Sequence, residues 1–313
     1  MSMRPPARRS GFPTAAALLA ALLVVAVVAC VLLLGNGSSG GPGPTPSATP
    51  TETLTPLAIP DERLTVLLIG KDLDAEREAR GDAINTDALM LASVSADRSA
   101  VSLIGVPRDT VDVPLPGGGT WERKINSLHA REGADALVGA MEEFFGVPID
   151  GYAALDMDDF ATLVDAAGGV MVDVAEPISD RLIDLELDSG RQTLDGETAL
   201  KYVRTRVDLD YGRMARQQQV LVALVRRLTD PAAPIDLASV IAGLESLETD
   251  LPLEHLPTIV ELARQARDAE VTEQVLGPPD YVTFEGDRGD GRGYVVELDL
   301  EAVRAYARRQ LTE

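Results

Sequence analysis

The sequence predicts a mixed α/β fold, a single domain with a central sheet flanked by helices. Three observations carry that prediction. Apolar runs of strand length (LTVLLIG, DALMLASVS and AVSLIGVP) follow one another early in the folded part. Amphipathic patterns ending in glycine come next and alternate with further strand-like runs. No segment repeats another, so the alternation reads as one α/β unit.

Other segments precede that unit. Residues 1–14 carry Arg4, Arg8 and Arg9 and no acid, and Ala15 to Leu34 follows without a charge. As a helix at about 1.5 Å per residue, the apolar run would span roughly 30 Å, the thickness of a bilayer core. Cations before it and an acidic body after it predict a single-pass protein of the cell membrane, its N-terminus cytoplasmic and its bulk outside. A cleaved secretory peptide competes, but no small-x-small site followed by polar sequence is evident. Val27-Val28-Ala29-Cys30 looks like a lipoprotein cleavage box, so lipidation of Cys30 is the other alternative. VLLL continues past that cysteine, where a mature lipoprotein turns polar, and the uncleaved anchor over 15–34 is the expectation.

Residues 35–60 pass from Gly/Ser-rich to Pro/Thr-rich and cannot bury enough apolar surface to fold, so they read as a linker. Gly35, Gly37 and Gly40 match the dinucleotide fingerprint formally, but no strand precedes them and no helix follows. The extracytoplasmic domain then occupies 61–313. After its three strands, the turn-like ADRS joining the last two, EGADALVGAMEEFFG is an amphipathic helix ending at a glycine. YAALDM is a strand, and DDFATLVDAAGG a helix whose Gly168-Gly169 suits a left-handed cap. In LDGETALKYVR, Asp195 caps a short helix. A longer helix from about Tyr211 to Thr229 turns Val220, Leu221, Leu224 and Leu228 to the core. Helices near 236–248 and 253–268, a strand at YVVEL and a terminal helix complete the chain.

Composition removes several functions. The formal net charge is -22, from 50 acidic against 28 basic residues, and aromatics make up only 4%. There is neither a broad basic footprint nor a set of stacking platforms for nucleic acid. The single cysteine excludes an internal disulfide. His129 and His255 lack the spacing of a zinc hydrolase, and His129 reads as packing at a helix edge. Chemistry therefore falls to Asp, Glu and Arg.

Strand ends supply the acids. IGKD places Asp72 after the first strand, NTDALM places Asp87 at the start of the second, and GVPRDT ends the third with Arg108 and Asp109. Loops at the ends of a rigid sheet hold side chains in fixed positions. Against the acidic background, KYVRTRVDLDYGRMARQQQ gathers Lys201, Arg204, Arg206, Arg213 and Arg216. Arg204 and Arg206 share a face only where the chain is extended, whereas Arg213 and Gln217 stack on one helix face. Two carboxylates beside several arginines suit a divalent metal with a phosphorylated ligand, the acids holding the metal and the guanidinium groups clamping phosphate oxygens. Each group also has a plain structural reading, as turn former, helix cap or solvated charge. Asp208-x-Asp210 and Asp156-x-Asp158 resemble the DxD of sugar-nucleotide transferases, but both pairs read better as structural or solvated. GDRGDGRG reads as a surface turn.

The order of the segments adds a further constraint. IGKD, NTDALMLASV, VSLIGVPRDT, KINSLHAREG, GVPIDGYAALDMDDFATLVDAAGGVMVDV, LDGETALKYVRTR and DYGRMARQQQ, in unbroken order from about Leu64 to Gln219, resemble the LytR-CpsA-Psr family of cell-envelope proteins. Short anchor, linker and extracytoplasmic α/β domain are similar to its architecture. The resemblance implies a magnesium-dependent phosphotransferase that moves a glycan polymer from a polyprenyl pyrophosphate carrier to a hydroxyl of peptidoglycan. It implies Asp72 and Asp87 as the Mg2+ ligands and, with Arg108, as the catalytic set. Arg108, Arg204, Arg206, Arg213 and Gln217 would grip the pyrophosphate, with Lys124 and Asn126 lining the same pocket, and the lipid tail would enter an apolar tunnel. Lys201 and Arg216 become supports or solvated charges. Expected partners are the carrier-linked glycan, peptidoglycan and the bilayer, with no nucleic acid. One departure stands out: the family often has an arginine where this chain has Asn85, and Arg77 or Arg80 would have to supply that cation. Two alternatives use the same sequence: a hydrolase of the lipid-linked pyrophosphate, and a membrane-bound regulator of the transcriptional attenuator type. Only about fourteen residues precede the anchor, too few to bind DNA.

Overall fold

Runs too short for helices and apolar on both faces are suited to a sheet covered on two sides, and the computed structural model of the chain has one. It describes residues 62–72, 85–230, 232–234, 236–243, 247–250 and 265–311. The expected anchor and linker, Arg77, Arg80 and most of the helix expected near 253–268 lie outside the described residues. Among the described residues no helix is long and apolar enough to cross a membrane.

β1 (Leu64–Lys71), β2 (Thr86–Val94) and β3 (Ala100–Gly105) form on the three predicted runs. Two short strands, β4 (Val113–Pro114) and β5 (Thr120–Trp121), precede α1 (Leu128–Glu132) and α2 (Ala134–Phe145). β6 (Gly151–Leu155) leads into α3 (Met157–Ala166). Next come β7 (Val170–Val174), β8 (Ile178–Asp180), β9 (Leu185–Leu187) and β10 (Gly190–Leu194), then α4 (Gly196–Arg204) and α5 (Leu209–Leu228). α6 (Leu237–Ala242), β11 (Glu248–Thr249), β12 (Glu270–Val275), β13 (Val282–Asp287), β14 (Tyr294–Leu298) and α7 (Leu300–Leu311) finish the chain.

The main sheet has the order β11-β6-β1-β2-β3-β12. β1 pairs antiparallel with β2 and parallel with β6; β3 pairs antiparallel with β2 and parallel with β12. Strand alternation divides the side chains between two layers. Leu67, Ile69, Leu89, Leu91 and Ile104 pack with Leu137, Met141, Phe144 and Phe145 of α2 and with Val303 and Ala307 of α7. On the other face Met90, Ala92 and Leu103 meet Leu221 and Val222 of α5. A separate cluster joins α3, α4 and α5 to β7 and β10 through Leu163, Val164, Val172, Leu194, Ala199, Tyr202, Val220 and Leu224.

Most predicted elements are present. The helix expected over 236–248 stops at Ala242, and Glu248 and Thr249 become an edge strand on β6. The hairpin β7–β10 and the strands β12 and β13 were not expected. Their solvent-facing positions are polar or charged, as in EVTEQV and GRQTL, which dilutes the apolar signal of a strand exposed on one side. GDRGDGRG is indeed a turn, between β13 and β14, with Gly289, Gly291 and Gly293 at positive φ.

Candidate functional site

Sheet pairing brings the first acids together. The Asp72 amide donates to the Asn85 carbonyl at 2.9 Å, so Asp72 sits across from the start of β2, two residues from Asp87. Both carboxylates are largely buried, with side chains 18% and 19% exposed. Arg108 leaves the end of β3 and donates from Nη1 to Oδ1 of Asp87. A one-turn helix at Ile125–Ser127 docks on this loop: the Asn126 amide donates to the Arg108 carbonyl at 3.2 Å, and Thr86 Oγ1 to the Asn126 carbonyl at 3.3 Å. Lys124, just before it, pairs with Asp109 at 2.9 Å. The KIN stretch thus borders the site, Lys124 by its charge and Asn126 by its backbone.

The α4–α5 junction delivers the arginines. Asp195 accepts from the Thr198 amide at 2.8 Å and caps α4. Gly196 lets α4 approach α3 closely, since a Cβ there would lie 2.2 Å from the Ala161 carbonyl oxygen. α4 ends at Arg204, and Thr205 is extended (φ -60°, ψ 145°), so Arg204 and Arg206 turn to the same side. Arg204 reaches Asp72 at 4.0 Å and Arg206 reaches Asp87 at 3.8 Å. α5 then places Arg213, Gln217 and Leu221 on one stripe at four-residue spacing.

Arg216, one turn past Arg213 on α5, closes the junction. It donates to the carbonyls of Tyr202 (2.9 Å) and Thr205 (2.6 Å) and to Asp208 (2.6 Å). Asp208 folds back so tightly that a Cβ on Gly212 would meet its Oδ2 at 2.0 Å. Lys201 pairs with Glu197 one turn earlier and takes no part in the cluster. Of the two cations set aside above, Arg216 supports the junction and Lys201 is a solvated charge.

The remaining groups form a loose charge cluster. Arg213 is only 2% exposed and lies 3.7 Å from Asp87 and 3.6 Å from Asp210. Asp210 also lies 3.4 Å from Arg206 and 3.7 Å from Arg108. Except for the Arg108–Asp87 bond, these are ion pairs beyond ordinary hydrogen-bond length. The Nε atoms of Arg108 and Arg213 are buried with no hydrogen-bond partner. Burial, with the neighbouring Arg108 and Arg206, lowers the pKa of the Arg213 guanidinium, although Asp210 and Asp87 oppose the shift. At Arg108 burial also disfavours the charge, but Asp87, Asp109 and Asp210 outweigh it and the pKa is raised. Guanidinium groups stay ionised in any case. The unpartnered Nε atoms of Arg108 and Arg213 and the half-exposed guanidinium groups of Arg204 and Arg206 leave donors to spare for a multivalent anion.

That space opens on an apolar cavity of about 170 Å³ between the sheet and α3, α4 and α5. Leu68, Met90, Leu155, Phe160, Val203 and Leu221 form its walls, and Asp87, Arg204, Arg213 and Gln217 its polar rim. Gln217 donates to the Val203 carbonyl at 3.3 Å, which fixes it at the rim and away from the ion pairs. Asp210 is the residue that sequence reasoning undervalued: it sits among three arginines, whereas Asp208 is the structural partner of Arg216. Its spacing to Arg206 and Arg213, four and three residues, was the available signal. Asp156 caps α3 by accepting from the Asp159 amide, in keeping with its structural reading. His129 packs with its Nε2 3.5 Å from Glu248.

Asp72 and Asp87 have the donor chemistry that magnesium takes, although both oxygens of Asp87 face arginines. Mg2+ is bound through one or two carboxylates and completed by waters and phosphate oxygens, and Asp72 and Asp87 offer two carboxylates beside the anion-facing arginines. Among the described residues no group of three or more His, Cys, Asp or Glu could hold a metal by protein ligands alone.

Comparison with known proteins gives the family and the fold. The model of the LytR_cpsA_psr family matches residues 45–291. A probable cell wall biosynthesis protein, LcpB of Corynebacterium glutamicum, is 34% identical over 67% of this chain and 53% of its own length. A polyisoprenyl-teichoic acid–peptidoglycan teichoic acid transferase, TagU of Enterococcus faecalis, is 28% identical over 80% of each chain. The chain spans about half the length of the first curated relatives it matches. Among solved structures, B. subtilis TagV superposes with a TM-score of 0.63 at 24% identity, covering 81% of this chain and 99% of TagV, and so shares its fold.

Proposed function

The chain belongs to the LytR_cpsA_psr family, and from that premise we propose that it is a membrane-anchored phosphotransferase moving a glycan polymer from a polyprenyl pyrophosphate carrier to peptidoglycan. One observation carries the reading: Asp72, Asp87, Arg108, Arg204, Arg206 and Arg213, drawn from four distant stretches of sequence, meet where an apolar cavity opens. An isoprenoid pyrophosphate has that same division, a dianionic head and a hydrocarbon tail. The relatives named for teichoic acid transfer support the substrate class.

In this reading the tail fills the cavity beside Phe160 and Leu221. The pyrophosphate displaces the loose ion pairs of Arg204, Arg206 and Arg213 and takes up their free donors. Arg108, held by Asp87, adds a fixed positive charge beside the reacting phosphoryl group. Stabilising charge that develops on phosphoryl oxygens is the main catalytic need in such a transfer. The acceptor hydroxyl oxygen bonds to the phosphorus that carries the glycan, the bridging P–O bond breaks, and polyprenyl monophosphate leaves. The hydroxyl proton passes to water. Asp72 and Asp87 would hold Mg2+, which supplies further neutralisation of phosphate charge when bound.

Incubating the full chain in detergent with a lipid-linked glycan, Mg2+ and peptidoglycan tests the proposal. Covalently attached sugar together with released polyprenyl phosphate is the expected result, and an Arg204→Ala, Arg206→Ala double variant should lose both. Release without attachment would make the protein a hydrolase, and normal turnover by the double variant would remove the site.

A further inference from the structure

The arginine cluster is approached along two sets of strands. The apolar cavity underlies β6, β1 and β2. Beyond β3 the cluster is bordered by the hairpin β13–β14, which is joined to the chain just past Arg108. The Val296 amide donates to the Asp109 carbonyl and the Val111 amide to the Val296 carbonyl, both at 3.0 Å. If the tail lies in the cavity and the pyrophosphate on the arginines, sugar attached to that pyrophosphate emerges by the hairpin.

The hairpin presents an aromatic and acidic face there. Tyr294 is 51% exposed and is the one aromatic ring among the large apolar side chains left exposed by the described residues. Strand alternation puts it on the same face as Val296, whose cross-strand partner is Glu285. The Tyr211 hydroxyl, one residue past Asp210, donates to Glu285 at 2.7 Å, and its ring packs over Gly277, where a Cβ would lie 3.0 Å away. Burial, reinforced by Glu285, raises the pKa of both tyrosines, so both keep their hydroxyl protons as donors. Asp210 and Asp109 lie within electrostatic reach of Tyr294, which ties the face to the arginine cluster.

We propose that Tyr294, Tyr211 and Glu285 form a pyranose-binding subsite at the edge of the arginine cluster. A pyranose has an apolar C–H face that packs on an exposed aromatic ring, and hydroxyls that need acceptors such as a carboxylate held between two phenols. The inference rests on the proposed glycan transfer and adds the residues that recognise sugar. The ring belongs either to the carrier-linked glycan or to the peptidoglycan acceptor.

Calorimetric titration of the full chain in detergent separates these cases with three probes: geranyl pyrophosphate, N-acetylglucosaminyl-pyrophosphoryl-geraniol, and the soluble disaccharide of N-acetylglucosamine and N-acetylmuramic acid. Tyr294→Ala should weaken one of the two sugar-bearing probes about tenfold and leave geranyl pyrophosphate unchanged, while Tyr294→Phe retains most of the affinity. Loss confined to the glycosyl pyrophosphate assigns the subsite to the donor, and loss confined to the disaccharide assigns it to the acceptor. The subsite is overturned if Tyr294→Ala binds both sugars as the wild type does, or weakens all three probes equally. The Arg204→Ala, Arg206→Ala variant tests the underlying reading separately: unchanged binding of sugar-free geranyl pyrophosphate would reject the pyrophosphate site whatever Tyr294 does.

Discussion

Two arginines one turn apart on α5 are both buried, and they are used in opposite ways. Arg216 reaches toward α4, is 7% exposed and spends its donors on two carbonyls and Asp208. Arg213 reaches toward Asp87 of the sheet, is 2% exposed, makes ion pairs of 3.6 and 3.7 Å, and keeps an unpartnered Nε. Burying a guanidinium costs free energy unless hydrogen bonds repay it. Arg216 is repaid within the fold. Arg213 is not, and its unused donors face a cavity with a charged rim. Incomplete satisfaction, more than charge itself, separates the site from its scaffold.

The contrast fails if the two arginines respond alike to truncation. Arg213→Ala should lower turnover of a lipid-linked glycan by about 10³-fold, the scale of losing a group that stabilises developing charge. Its thermal midpoint should stay near that of the wild type, because the loss of two long ion pairs is balanced by relief of burial and of repulsion from Arg108 and Arg206. Arg216→Ala should do the reverse in stability. It leaves two buried carbonyls unpaired and should cost about 3 kcal/mol in urea unfolding.

Two glycines sharpen the same comparison. Gly196→Ala forces a methyl group against the backbone of α3 and should destabilise by about 2 kcal/mol while displacing Arg204, so that KM for the carrier-linked donor rises. Gly212→Ala meets only a carboxylate that can swing aside. It forfeits the Asp208–Arg216 bond, worth about 2 kcal/mol, and gains about 1 kcal/mol in helix propensity. A net loss of about 1 kcal/mol is expected, and stabilisation would show that Asp208 contributes nothing to the junction.

The sequence made the strand ends and the helix stripe legible because both follow from period. β1, β2 and β3 are apolar on both faces, so their runs stand out, and Arg213 and Gln217 share a face by spacing alone. The extended Thr205 that aligns Arg204 with Arg206 needed only a helix end between them. Asp210 was harder, since an acid beside Asp208 looks solvated until Arg108 arrives from β3, about a hundred positions earlier. Arg213 and Arg216 were told apart only through the family resemblance, as neither residue type nor spacing reports which partners are in reach. β13 had a weak apolar signal, and the place of its hairpin with β14 beside Arg108 depends on backbone bonds from Val296 that no local pattern encodes.

The central claim is that the half-satisfied arginines hold a pyrophosphate whose hydrocarbon tail enters the adjoining cavity. A crystal structure of the protein soaked with geranyl pyrophosphate tests it most directly. The account predicts phosphate oxygens within hydrogen-bond distance of Arg204, Arg206 and Arg213, with the prenyl chain against Phe160 and Leu221. A pyrophosphate bound instead in the groove of Arg191, Arg226 and Arg227 on the far side of α5, with the cavity beside Leu221 unchanged, would contradict it.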